Sequence, residues 1–325
     1  MPVNLQKFLY AESIQHHPLR KADYTLMTTE QLSDWSKRQP ASGAVHLVKG
    51  HGGLPLVRVE TATSTAEIYL QGAHVSHFQI KGQEPMLFMS GKSRFEPNIP
   101  IRGGIPLILP WFGPREGLAA HGWARNKAWD LQTITPEQDG SISVSFVLES
   151  PGISGFGPFK SEYAVNVGTA LSLELRVTNQ ATDQDLVFEN CLHTYFVVKE
   201  AADLAVAGLK GTRYLDKVGG ITERTETAEF ITISSEVDRV YYDTAARVEI
   251  IDPGLKRIIR VEKLNSQSTV VWNPWIAKAK AMPDFGDEEY HGMVCVESGN
   301  VGPNRLTLAP GKTETLKVRL SFTGI

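Results

Sequence analysis

Two short stretches carry the side chains best suited to moving protons. In ENCLHTYFVV (189–198), read as a strand, Cys191, His193 and Tyr195 point to one face and Leu192, Thr194 and Phe196 to the other. MVCVESGN (293–300) is built the same way, with Met293, Cys295 and Glu297 on one face and Val294 and Val296 opposite. An acid inside an apolar strand is costly to bury unless it is paired or lines a cleft. Ordinary pKa values of about 6.5 for histidine and about 4.3 for glutamate let His193 stay protonated while Glu297 is ionised. Concerted general acid–base catalysis requires that combination. Taken alone, a strand histidine is more often a hydrogen-bonded core or rim residue than a catalyst.

Two arginines sit in loops beside glycines, in IPIRGGIPLILPWFGP (99–114) and LAAHGWARNKAW (118–129). Arg102 and Arg125 offer planar, bidentate donors that suit phosphate or carboxylate. Gly103 and Gly104 would let backbone approach a ligand closely. Trp111, Phe112 and Trp123 provide flat apolar faces on which a sugar ring could stack. Each could instead be a surface ion-pair partner or a core residue, so their co-occurrence carries the reading. The chain has no GxxxxGK[ST] phosphate loop, no GxGxxG, no HExxH and no GxSxG. His74 and His77 have a metal-like spacing, but three residues apart on a strand they face opposite ways. Cys191, Cys295, His193 and Glu297 could supply a zinc set. Their spacing matches no zinc knuckle and the cysteines lie among large apolar residues, so two buried thiols are expected, with no metal and no cofactor.

The elements that must position these groups read as strands. LPLVRVE (54–60), AEIYLQ (66–71), SISVSFVLE (141–149), LSLELRVTN (171–179), DLVFEN (185–190) and TLKVRLSF (315–322) alternate polar and apolar side chains. Asp139-Gly140, Gly219-Gly220 and Pro253-Gly254 fall between such runs as turns. With no βαβ alternation, the expectation is all-β: one large antiparallel β-sandwich over 44–325, preceded by an extension, 1–43. Within the extension, Thr28 and Gln31 have capping-box spacing and Leu32 and Trp35 are three apart, so 28–39 reads as either a short helix or a loosely packed extension. The stretches 90–130 and 272–292 break the strand pattern, as long binding loops do.

A formal net charge of −3 with scattered Lys and Arg excludes a basic nucleic-acid surface. The chain has no apolar run that would span a bilayer and no signal-like h-region near its start. Two cysteines without a signal fit a reducing compartment, so the expected location is cytoplasmic.

The runs IRGGIPLILPWFGP, HGWARNKAW, LHTYF, VDRVYYDT, VVWNPW and CVESGNV, in that order, closely resemble the hexose-6-phosphate mutarotase (glucose-6-phosphate 1-epimerase) branch of the aldose 1-epimerase family. The resemblance runs from about residue 55 to the C-terminus. It implies a galactose-mutarotase-like sandwich with its site on a concave face, acting on a hexose 6-phosphate and needing no cofactor. By the same resemblance His193 and Glu297 are the catalytic pair, Asp238 holds sugar hydroxyls, Arg102 and Arg125 bind substrate, and His121 lines the pocket. Glu297 would take the proton of the C1 hydroxyl while His193 protonates the ring oxygen; the opened chain turns about C1–C2 and recloses. Some members carry Gln where this chain has Ala120, and the first 40 or so residues have no counterpart. Two alternatives stand: an aldose 1-epimerase of free sugars such as galactose, and a non-catalytic carbohydrate-binding module. No nucleic-acid or membrane partner is expected; the oligomeric state is open, with a monomer as the default.

Overall fold

The computed structural model describes residues 43–153 and 155–324. The short helix or loose extension read over 28–39, and all but one residue of the 1–43 extension, lie outside the described residues.

The longest alternating runs build a nine-stranded antiparallel sheet. In Phe159–Val167 every second side chain, from Phe159 to Val167, is buried, and the strand pairs in unbroken register with Leu171–Asn179. Its other strands include Ile142–Ser150, Arg257–Leu264 and Thr313–Gly324. The expected turns fall between strands: Gly140 takes φ +81°, which costs glycine little, and the Asp139 carboxylate accepts from both the main-chain N–H and the hydroxyl of Ser141.

An eight-stranded sheet lies against it, ordered Thr222–Thr225, Arg213–Asp216, Val237–Tyr241, Ser268–Asn273, Met293–Asn300, Asn190–Leu192 and Leu107–Ile108, with Tyr195–Val197 also pairing with Met293–Asn300. One core joins the sheets, built from Leu192, Phe196, Val271, Val294 and Val296 on one side and Phe146, Tyr163, Leu173, Leu175 and Val318 on the other. Burying such a face stabilises the fold by about 25 cal/mol per Å² of apolar surface. A four-stranded sheet, Gly43–Ile80, adds Val57, Val59, Ile68 and Val75 to that core. The opposite face of the eight-stranded sheet carries a second cluster. Cys191, Tyr195, Val240, Val270, Trp272 and Cys295 meet Phe88, Phe285 and Tyr290 from the long loops there.

Two runs depart from a simple strand reading. DLVFEN divides: Leu186–Phe188 pairs with Leu306–Leu308, whereas Asn190–Leu192 joins the eight-stranded sheet. Glu189 makes the crossing, its carboxylate accepting from the Phe112 and Gly302 N–H groups at 2.9 and 2.6 Å. ENCLHTYFVV is interrupted at His193-Thr194, where the His193 N–H donates to Pro106 O and the Thr194 N–H to Leu192 O. Pairing of Leu192 with Ser298 and of Tyr195 with Cys295 keeps the register across the break, so the alternation of faces survives. The 272–292 excursion contains the seven-residue α-helix Trp275–Ala281. Among the described residues no helix is long and apolar enough to cross a membrane.

Candidate active site

Strand register builds the site in rows. Asp238 pairs with Trp272, Trp272 with Cys295 and Cys295 with Tyr195, which sets four side chains side by side on the face away from the core. Glu297, opposite Val270, belongs to the next row. His193 Nε2 lies 3.2 Å from Glu297 Oε1, and the Cys191 thiol donates to Glu297 Oε2 at 3.6 Å. The His193 ring stacks on Tyr195, centroids 4.8 Å apart and planes 10° from parallel, and meets the His121 and Trp272 rings at steep angles of 72° and 78°. His193 Nδ1 is buried without a protein partner.

Cations from the loops surround this pair. Arg102 donates Nε and Nη2 to the Asp284 carboxylate at 3.2 and 3.3 Å, and Nη1 to the Tyr195 hydroxyl at 3.0 Å. Arg125 stands on a single 3-10 turn, Ala124–Asn126, anchored where the Trp123 and Ala124 N–H groups both donate to Leu109 O. Its Nη2 donates to Ala120 O at 2.7 Å and its Nε is buried without a partner. No carboxylate of the described residues pairs with it. Ala120 thus contributes its carbonyl to holding Arg125. His121 has φ +66°, uncommon for a residue with a Cβ, and its main chain and ring both bond Gly113. Asp238 is flanked by Lys217 at 3.8 Å and Lys278 at 3.5 Å; Lys278 also pairs with Glu236, and Lys217 lies over the Phe112 ring.

The electrostatics depart from ordinary values. Burial pushes the Glu297 carboxyl well above its usual range, with the charge of Asp238 adding to the effect. Burial pushes His193 well down, and His121, Arg102 and Arg125 reinforce that. Burial thus disfavours the charged form of each group, and the two lie within hydrogen-bond reach at 3.2 Å. Both shifts run toward the neutral forms, away from the carboxylate and imidazolium that unperturbed values allow together. His121 is pushed down to about 3, by burial first and then by Arg125, Lys217 and Arg102. Burial and Arg102 push Arg125 down to about 10.

All six residues singled out in the sequence, His193, Glu297, Arg102, Arg125, Asp238 and His121, therefore influence one another at one site. Three other readings change. Gly103 and Gly104 do not make room for a ligand: a Cβ at Gly103 would lie 2.5 Å from Phe88 O, and one at Gly104 would lie 2.4 Å from Val75 O. Trp111 and Trp123 pack with each other and with Phe156, whereas the rings against His193 are Tyr195, His121 and Trp272. Asp284 and Lys217 were not anticipated; only the placement of Asp284 in the 272–292 loop hinted at it. The donor atoms of His193, Cys295 and Glu297 lie within 4.8 Å of one another, as a metal set would. Burial holds the Cys295 thiol well above its ordinary pKa, and the positive charges of Arg102, Arg125 and Lys217 favour an anion there instead. The third is the placing of His74 and His77 on opposite faces: a bulge at Ser76 pairs them with Tyr69 and Glu67, two residues apart on the neighbouring strand, so both lie on the face away from the core residues Val75 and Phe78.

Comparison with known proteins bears on this site. The family described as aldose 1-epimerase matches residues 55–321. A protein of Cenchrus ciliaris, provisionally named a glucose-6-phosphate 1-epimerase, is 36% identical over 87% of this chain and 89% of its own length. An Escherichia coli protein with the same provisional name is 34% identical over 75% of this chain and 83% of its own. A crystal structure of a Salmonella typhimurium protein, provisionally named a mutarotase, superposes with a TM-score of 0.79 at 28% identity, covering 88% of this chain and 95% of that one.

Proposed function

The chain belongs to the aldose 1-epimerase family, and from that premise we propose that it interconverts the α and β anomers of a hexose 6-phosphate, glucose 6-phosphate foremost. The observation that carries this reading is the buried His193–Glu297 contact of 3.2 Å lying beside Arg125, a guanidinium that makes no ion pair with any carboxylate of the described residues and feels Asp284 only at longer range. A free sugar brings no charge to that position; a phosphate does.

The reaction needs a proton removed at one oxygen and delivered at another. The phosphate binds Arg125 and the remaining N–H groups of Arg102, and its negative charge offsets the positive charges that add to burial in holding His193 down. A proton on Glu297 then passes to His193 across their contact, leaving a carboxylate and an imidazolium. Glu297 takes the proton from the C1 hydroxyl while His193 donates to the ring oxygen, and the hemiacetal opens to the aldehyde. After rotation about C1–C2, the same two groups in reversed roles close the other anomer. Asp238 holds sugar hydroxyls and Trp272 offers its face to the ring. The proton released at one end is returned at the other, so the cycle is redox-neutral.

Anomeric exchange followed by NMR tests this, with purified protein added to equilibrated glucose 6-phosphate and, separately, to galactose. Acceleration confined to the phosphate supports the reading; acceleration of galactose alone replaces it with a free-sugar epimerase, and no acceleration of either leaves a binding module.

A further inference from the structure

Tyr195 takes no part in the proton transfer just described, yet it touches both halves of the site. Its N–H donates to Gly104 O at 2.9 Å and its carbonyl accepts from the Phe88 N–H at 3.0 Å, which stitches the Arg102 loop to the strand beside Glu297. Its side chain repeats the connection. The hydroxyl accepts from Arg102 Nη1 at 3.0 Å, while the ring lies flat against His193, enclosed by Trp272 and Phe88. The residue is 1% exposed.

We infer that Tyr195 is the positioning residue that ties the grip on the phosphate to the proton donor, its hydroxyl aiming the Arg102 guanidinium and its ring holding the plane of His193. The inference rests on the hexose 6-phosphate reading above. Of the five N–H donors of Arg102, Asp284 takes two and Tyr195 one, so these partners decide where the other two point. His193 is held at Nε2 by its contact with Glu297, and Nδ1 has no partner, so stacking on Tyr195 is what fixes the imidazole plane. Proton transfer is sensitive to such aim: a misplacement of about 1 Å can cost about 10²-fold in rate.

Tyr195→Phe keeps the ring and removes the hydroxyl, which separates the two roles. Loss of a hydrogen bond to a charged group predicts a rise of about tenfold in KM for glucose 6-phosphate, with kcat changed by less than about threefold. In an Arg102→Ala background the same substitution should add nothing, because its effect runs through Arg102. An unchanged KM, a loss confined to kcat, or an equal loss in both backgrounds would overturn the inference. Calorimetric titration with inorganic phosphate separates this from the functional reading. Weaker phosphate binding by Tyr195→Phe upholds the coupling even if the wild type fails to turn over glucose 6-phosphate. Equal binding in an enzyme that does turn it over sinks the inference alone.

Discussion

The strand Met293–Asn300 buries all eight of its residues, but its two faces hold opposite kinds of matter. Val296 and Glu297 are neighbours, each 1% exposed. Val294 and Val296 meet Leu192, Phe196 and Val271 in the core between the sheets, where burial costs them little beyond side-chain entropy. Glu297, with Cys295 beside it, faces His193 and Tyr195 on the other side, and its burial shows up as a carboxyl held far from its ordinary range. Equal burial thus stabilises on one face and opposes stability on the other. The same alternation recurs in the adjoining strand, where Val271 faces the core and Trp272 the site. What the difference teaches is a division of labour: a rigid apolar face makes it possible to hold acid and base in a protonation state that water would not allow.

Removing the chemistry from one face should leave the other intact. Glu297→Gln keeps the shape and abolishes the base, so kcat should fall by about 10³-fold or more while phosphate binding persists. Because a buried ionisable group is replaced by a neutral one, the melting temperature should hold or rise. NMR exchange and scanning calorimetry read the two effects together; activity above a tenth of wild type would remove Glu297 from the role of base.

The converse change is Leu192→Ala, on the core face one residue before His193. It should destabilise the protein by about 2–5 kcal/mol through lost contacts and the residual cavity. The kcat of the folded enzyme should stay within about threefold of wild type. A collapse of kcat in a protein that denatures normally would show that the faces do not separate as argued.

Much of this comparison was legible in the residues. Alternation located the strands it read to within a residue or two, LSLELRVTN coinciding with Leu171–Asn179, and it set Glu297 and, across the break in its run, His193 on the outward face. Strand periodicity is local, so it could not reveal that Glu189 would carry the chain from one sheet to another. Nor could it show that Asp284 and Lys217, far along the chain, would be brought to Arg102 and Asp238. The glycines after Arg102 advertised close approach, but their type does not say to what; the answer is the backbone of Phe88 and Val75. Ordinary pKa values misled for a similar reason, since the shifts arise from burial, which appears only once the sheets have packed.

The smallest expected effect concerns a buried polar group that lies off the catalytic face. His74 is 1% exposed, its Nε2 has no partner, and burial, followed by the charge of Arg125, pushes it down to about 3. In the unfolded chain the same group titrates near its ordinary value of about 6.5. Below that pH the unfolded state binds a proton that the folded state refuses until about pH 3. The unfolded state therefore gains as acid is added, and the contribution to stability, fully present above pH 6.5, is lost progressively toward pH 3. His121, also held near 3, adds to the same slope, as does His193 in the same direction. His74→Gln should leave a folded protein whose denaturation midpoint falls less steeply between about pH 6 and pH 4, by up to one proton's share of the linkage. Parallel slopes for wild type and variant would mean that His74 is charged in the fold, and that the floor beneath Arg125 tolerates a cation after all.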